Sequence, residues 1–218
     1  MALKAPPSVS GYDWSGIYVG ANLGGGWTNA DRTNSDNTTL FGDNVPPDSF
    51  ANNLSGPVIG GQIGFNYQSG PIVLGIEALV ECSHVKGNHA STARAADDQF
   101  SSRIRAIARV TGRVGYAWNN LLIYGKAGYG AADISVSVTG SVGLFTGSGA
   151  DRTWRGGPIV GVGLEYGLTS DLSIAVEYDY QYLGTGSYQI GDATGSYRWE
   201  VAARNFSTLT AKINYRFH

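Results

Sequence analysis

The 218-residue sequence predicts an all-β fold: an antiparallel transmembrane β-barrel of about eight strands, with short turns at one end and long loops at the other. Three observations lead there. Apolar and polar residues alternate with period 2 in stretch after stretch. Charged residues are only 15% of the chain, against about 25% in ordinary soluble proteins, yet no run approaches the roughly 20 apolar residues of a spanning helix. Short and long connections between the stretches alternate. A chain that enters a bilayer without apolar helices must close its strands into a ring, because every backbone polar group there needs a partner.

The elements follow in order. Residues 1–12 contain Pro, Ser and Gly without periodicity and are expected to form a flexible leader before a barrel at 13–217. Met1 is read as replacing a removed export signal. The first strand runs from Gly16 to Trp27, where Ile17, Val19, Ala21 and Leu23 alternate with Tyr18, Gly20, Asn22 and Gly24. Thr28 to Ser55, rich in Asn, Asp, Thr and Pro, reads as a long polar loop. The second strand, Pro57 to Tyr67, sets Ile59, Ile63, Phe65 and Tyr67 against Gln62 and Asn66. After the tight turn Gln68-Ser69-Gly70, the third sets Ile72, Leu74, Ile76, Ala78 and Val80 against Glu77 and Glu81. Ser83 to Gln99 reads as a second polar loop.

In the fourth strand Ile104, Ala106, Ala108, Val110, Val114 and Tyr116 alternate with Arg103, Arg105, Arg109 and Arg113. The turn Ala117-Trp118-Asn119-Asn120 leads to the fifth, where Leu121, Ile123, Ala127, Tyr129 and Ala131 oppose Tyr124, Lys126 and Gly128. The third long connection, Asp133 to Arg155, opens with Ile134, Val136 and Val138 in alternation, so the strands are expected to continue past the membrane there. The sixth strand has Val160, Val162, Leu164 and Tyr166 against Glu165, and the turn Leu168 to Asp171 follows. The seventh has Leu172, Ile174, Val176, Tyr178, Tyr180 and Tyr182 against Ser173, Glu177, Asp179 and Gln181. A fourth polar loop, Gly184 to Ala203, precedes the last strand, where Leu209, Ala211, Ile213, Tyr215 and Phe217 oppose Thr210, Lys212, Asn214 and Arg216.

On this parity no charge falls on the apolar face of any strand. The opposite face gathers Glu77, Glu81, Glu165, Glu177 and Asp179 with Arg103, Arg105, Arg109, Arg113, Lys126, Lys212 and Arg216, a barrel-interior charge network of five acids and seven bases. A soluble ligand-carrying barrel would have the reverse polarity, apolar inside and charged outside. Trp27, Tyr67, Tyr116, Trp118, Tyr166, Tyr180, Tyr182 and Tyr215 fall near strand ends and suit two aromatic girdles at the lipid–water boundaries. The interior ladder could serve as an ion-selective constriction or as a plug of salt bridges, and the narrow lumen of an eight-stranded barrel favours the plug. Arg103 to Arg113 are expected to pair with Glu77 and Glu81 on the preceding strand.

Other sites are weaker. His84 and His89 share a loop and could hold haem iron or a metal ion, but two solvated histidines are the plainer reading, and no cofactor or metal is assigned. Cys82 beside His84 has the residue types of a thiol nucleophile and its base, yet Cys82 lies on the apolar parity. As a lone cysteine it forms no internal disulfide. Gly161-Val162-Gly163 has no helix after it and is not a dinucleotide loop. Asp31, Asp36, Asp43 and Asp48 in the first loop lack the spacing of a cation-binding loop and are read as solvated acids, able to meet lipopolysaccharide through divalent ions. A net charge of −2 gives no reason to expect nucleic acid. No catalytic constellation emerges, and no enzyme is expected.

The segments Asp13-Trp14-Ser15-Gly16-Ile17-Tyr18-Val19-Gly20, Gly60-Gly61-Gln62-Ile63-Gly64-Phe65-Asn66-Tyr67, Arg113-Val114-Gly115-Tyr116-Ala117, Gly161-Val162-Gly163-Leu164-Glu165-Tyr166-Gly167 and Glu177-Tyr178-Asp179-Tyr180 together resemble the small outer-membrane β-barrel proteins of alphaproteobacteria. These are porin-family surface antigens akin to the OmpA transmembrane domain. The resemblance implies a bacterial outer-membrane location, outer-membrane lipid and lipopolysaccharide as surroundings, and delivery by the barrel-assembly machinery. That machinery reads a terminal aromatic, here Phe217, and His218 after it is read as a tag remnant. The implied function is structural, an envelope-integrity role with surface-exposed loops. The alternatives are a narrow porin for small solutes and a surface module for a ligand such as haemin.

Overall fold

A strand in a bilayer must pair along both edges, and eight long strands of this chain do so in one closed antiparallel ring. The computed structural model describes the backbone of residues 12–33, 39–40, 43–44, 49–90, 99–142, 145–183, 186–192, 195–203 and 205–217, and the side chains of 12–28, 54–86, 103–135, 152–183 and 205–217. The strands are β1 (Gly16–Thr33), β2 (Thr39–Leu40), β3 (Asp43–Asn44), β4 (Ser49–Ser69), β5 (Ile72–Ala90), β6 (Gln99–Trp118), β7 (Leu121–Val142), β8 (Phe145–Gly167), β9 (Leu172–Tyr182), β10 (Gly186–Asp192), β11 (Gly195–Ala203) and β12 (Asn205–Phe217). The ring runs β1-β4-β5-β6-β7-β8-β9-β12 and closes where Gly20 faces Asn214 on one side and Gln62 on the other. Closure leaves no free edge. The remaining short strands belong to the long connections: β2 pairs with β3, and β10 with β11, which extends the end of β1.

Three tight connections lie at the end that holds Asp13 and Phe217. Gly70-Pro71 joins β4 to β5 and Asn119-Asn120 joins β6 to β7. The first residue of each is left-handed, Gly70 at φ 60 and Asn119 at φ 54. Such turns follow the twist of the flanking strands.

The alternation expected from sequence sets the two faces. In β9, and in β12 from Thr208 onward, every second side chain is buried, and the exposed set includes Ile174, Val176, Leu209 and Ile213. Large apolar residues such as Ile59, Ile76, Val80, Val110 and Val162 are each more than half exposed, while Glu177, Asp179 and Arg109 are nearly inaccessible. In water this surface would be an apolar patch far beyond the few hundred Å² a soluble monomer shows. Lipid is the solvent that fits it.

The strands are longer than their periodic segments. β7 has 22 residues and β8 has 23, whereas about 9–11 cross the hydrocarbon. Much of Thr28–Ser55 and Ser83–Gln99, expected as loop, therefore continues the β-ladder past the membrane, and Asp133–Arg155 does so as its alternation led one to expect. Above the lipid neither face needs to be apolar, so the period-2 signal fades while the hydrogen bonds continue. Tyr12, the last residue of the expected leader, is buried; residues 1–11 and His218 lie outside the described residues.

Two irregularities shift the register near the long-loop end, and one of them resets the alternation of a strand. Between Cys82 and Val85, β5 carries one more residue than β6; between Ile104 and Ala106, β6 carries one more than β7. The second bulge reverses which side chains of β6 face inward.

Candidate functional site: the closed interior

Every strand of the ring sends polar side chains inward, and they meet in a layer across the middle of the barrel. Glu77 on β5 and Glu177 on β9 stand on strands four places apart in the eight-membered ring, on opposite walls. Two lysines bridge them. Lys212 Nζ lies 2.9 Å from Glu77 and 2.6 Å from Glu177. Lys126 Nζ lies 2.5 Å from Glu177, 3.3 Å from Asp179 and 3.5 Å from Glu77. The network therefore crosses the full diameter.

Each glutamate also accepts a phenol. The Tyr18 hydroxyl donates to Glu77 at 2.9 Å and the Tyr124 hydroxyl to Glu177 at 2.7 Å. Both rings lie over glycine: a Cβ on Gly64 would meet Tyr18 at 2.2 Å, and one on Gly163 would meet Tyr124 at 2.3 Å. The interior glycines at these two positions leave room for the rings. Arg113 sits between them, its guanidinium carbon 4.7 Å from the Tyr18 ring centre and 5.1 Å from that of Tyr124.

Arg113 donates to Asn66 at 2.9 Å and to Glu165 at 3.2 Å. Ser173 and Asn214 donate to the other oxygen of Glu165, and a chain of amides continues from Asn214 through Gln62 to Asn22. Arg109 donates to Asp179 at 3.1 Å, Thr208 at 3.0 Å and Gln181 at 3.3 Å. Glu81 is held by charge, 3.5 Å from Arg109. Arg109 thus meets one expected partner, Glu81, while Arg113 reaches past β7 to Glu165 on β8 instead of pairing with Glu77 or Glu81 on its neighbour strand.

Apolar layers bound this middle. At the short-turn end Tyr12, Trp14, Val73, Leu122 and Tyr124 form one cluster, with Arg216 stacked 5.0 Å from both Tyr12 and Trp14 and donating to the Asp13 carbonyl at 3.0 Å. Burial pushes the Tyr12 phenol above its usual pKa. At the long-loop end Leu54, Val58, Val85, Ile104, Ile107, Ala132, Ile134, Leu183 and Phe206 form another.

Arg103 and Arg105 are corrections. Both point outward, because the bulge at Ile104/Ala106 turns Ile104 into the upper apolar layer and the two arginines away from it. The ionic layer then holds Glu77, Glu81, Glu165, Glu177 and Asp179 against Arg109, Arg113, Lys126, Lys212 and Arg216: five acids and five bases. In a water-poor interior such balance matters, since an uncompensated charge costs several kcal/mol.

The other sequence candidates are placed as follows. Trp27, Tyr67, Tyr116, Trp118, Tyr166, Tyr180, Tyr182 and Tyr215 all face outward, and Phe217 pairs with Ile17 at the short-turn end. His84 and Cys82 also face outward, so they do not converge on an interior site. The side chains of His89, Asp31 and Asp43, and residues Asp36 and Asp48, lie outside the described set. Among the described residues no group of His, Cys, Asp and Glu could hold a metal ion. Sequence reasoning did not single out Tyr18, Tyr124, Trp14 or Phe206. Tyr18 and Tyr124 carried a usable signal, a large aromatic on the polar parity of a strand otherwise bearing Gly, Asn and Lys there.

Comparison with known proteins gives the same fold. The chain is 28% identical over 220 residues to a 31 kDa outer-membrane immunogenic protein of Brucella melitensis, covering 96% of this chain and 86% of that protein. It is 30% identical to a 25 kDa outer-membrane immunogenic protein of Brucella abortus (88% and 76% covered) and 29% identical to a 22 kDa outer membrane protein of Rhizobium leguminosarum (89% and 76%). Among solved structures, the outer membrane protein OprG of Pseudomonas aeruginosa aligns with a TM-score of 0.58 at 11% identity, covering 97% of this chain and all of that one, a likeness of fold. The family model of the outer membrane protein β-barrel domain matches residues 1–217, and the chain belongs to that outer-membrane family.

Proposed function

We propose that this protein is a structural component of the outer membrane, a closed barrel that strengthens the envelope and carries its long connections at the cell surface. The observation that carries the reading is the lysine–glutamate network spanning the barrel from β5 to β9, with an apolar layer on either side. A path for solute would need mobile water and unspent charge along the lumen. Here the five acids and five bases balance, and each of those charges lies within 4 Å of an opposite one. The lumen of an eight-stranded barrel is itself just wide enough for side chains. The relatives are named as immunogenic proteins, and we extend surface exposure of the long connections from them to this chain.

A deletion strain tests the reading. It should become more permeable to detergent and to a hydrophobic dye, and the wild-type gene should restore resistance. Unchanged permeability, together with slower uptake of a small hydrophilic solute, would favour the narrow porin. A haem spectral shift lost in His84→Ala would favour the surface-binding alternative.

A further inference from the structure

The bulge that removes Arg103 and Arg105 from the interior places them somewhere specific. Lys86 on β5 is directly opposite Arg103 on β6, Arg103 is opposite Ser135 on β7, and Ser135 is opposite Arg152 on β8. Lys86, Arg103, Arg105 and Arg152 are all exposed, so four cations on three strands share one outward patch. Directly opposed like charges destabilise a sheet. Among the described residues one acid meets the patch: Asp133, which accepts three hydrogen bonds from Arg152 at 2.9, 3.1 and 2.6 Å. Lys86, Arg103 and Arg105 have no ion pair among the described residues.

Height above the membrane decides what the patch meets. Ile72, opposite Tyr116, begins β5 at the short-turn end, and Lys86 is 14 residues along. At about 3.3 Å per residue and a tilt of about 40°, the rise is about 35 Å, against an apolar band of about 25 Å. The row therefore stands about 10 Å above the hydrocarbon, at headgroup level. Trp154, exposed and two residues nearer the membrane than Arg152, marks the boundary beneath it. The two ends also differ. Among the described residues, every exposed Lys or Arg lies at the long-loop end (Lys86, Arg103, Arg105 and Arg152). In an outer-membrane barrel that end faces the outer leaflet. The lipid of that leaflet, lipopolysaccharide, concentrates anionic groups on its sugar headgroup.

We propose that Lys86, Arg103 and Arg105, flanked by Arg152, form a binding site for the headgroup oxyanions of one lipopolysaccharide molecule. Arginine pairs with such oxyanions through two parallel N–H donors, and Lys86 supplies a third contact as a point charge. An oxyanion lying between Lys86 and Arg103 relieves their repulsion, and the acyl chains then run down the exposed Val80–Val110 face. The site adds a partner to the structural reading but rests on the outer-membrane location alone, not on the closed interior.

The test uses the full chain refolded in neutral detergent, with bis-phosphorylated lipid A in mixed micelles as the probe and bound lipid counted by native mass spectrometry. A basic residue at an anionic surface contributes about fivefold in affinity, so Lys86→Gln/Arg103→Gln/Arg105→Gln should weaken binding about 100-fold. Heat-modifiable mobility reports folding. If the triple variant does not fold, the single variants Lys86→Gln and Arg103→Gln carry the test, each expected to lose about fivefold. Equal affinity of wild type and folded variants overturns the site. Equal binding of phosphatidylglycerol overturns the choice of lipopolysaccharide in favour of any anionic surface, and full competition by inorganic pyrophosphate overturns it in favour of a soluble anion. Conductance is read separately, so a conducting barrel that still binds lipid A would refute only the closed interior.

Discussion

Truncating Glu177 to alanine probes the ionic layer at its centre. The carboxylate accepts from Lys126 at 2.5 Å, Lys212 at 2.6 Å and the Tyr124 hydroxyl at 2.7 Å. Removing one partner of a buried ion pair costs about 3–5 kcal/mol. Here the lysines are not left wholly alone: Lys212 keeps Glu77 at 2.9 Å, and Lys126 keeps Asp179 at 3.3 Å. The charge loss therefore belongs near the low end, about 3 kcal/mol. The orphaned Tyr124 hydroxyl adds about 1 kcal/mol, giving about 4 kcal/mol in all. Replacing Lys212 with methionine in the Glu177→Ala background restores the balance of five acids and five bases to four and four. It should recover about half of the loss, because well-packed apolar replacements of buried pairs are often neutral. Reversible urea unfolding in lipid vesicles, followed by tryptophan fluorescence and gel mobility, measures both variants. A Glu177→Ala barrel within about 0.5 kcal/mol of wild type, the range of ordinary surface substitutions, would refute the reasoning.

Three further outcomes follow from the same geometry. Arg109→Ala should destabilise the barrel by about 3–5 kcal/mol in that assay, while Arg103→Ala/Arg105→Ala should stay within about 0.5 kcal/mol, since only the first empties a buried ion pair; equal losses would mean that the bulge does not turn the two arginines outward. Trp14→Ala removes a fully buried ring from the short-turn cluster and should cost about 3–5 kcal/mol, with near-ultraviolet circular dichroism of the native state altered as well. A cost below about 1 kcal/mol would remove Trp14 from the sealing layer. Phe217→Ser should reduce the folded protein recovered from cells several-fold, while the purified variant refolds in detergent like wild type; equal cellular yields would dissociate Phe217 from assembly.

How much of this was legible depended on where period 2 is enforced. Between the girdles lipid demands apolar residues on one face, so Ile59, Ile63 and Phe65 on β4 and Leu209, Ile213 and Tyr215 on β12 announced their strands and facing. The polar parity also named ten of the interior charges. Above the membrane that demand ends, and the strand continuations of β1, β4 and β5 looked like loops, while on β7 the alternation of Ile134, Val136 and Val138 still showed. The bulge at Ile104/Ala106 was hidden for a physical reason: both Arg105 and Ala106 suit a strand, and one extra residue leaves no mark in composition. A single clue was present, Ile107 on the arginine parity, an apolar residue where an uninterrupted charged ladder would place a polar one. Pairing across the lumen was beyond reach. Neighbouring strands bring Arg113 beside Glu77 as easily as the barrel brings it to Glu165, and only closure of the ring with its register distinguishes them.

The most direct test of the closed interior is single-channel conductance of the refolded protein in a planar bilayer, with incorporation established independently by protease protection. Lys126 and Lys212 linking Glu77 to Glu177 between two apolar layers predict a silent bilayer. They also predict that Glu177→Ala destabilises the barrel before it opens a path. Discrete, reproducible steps from the wild-type protein would contradict the account and make the same charged layer a conducting constriction.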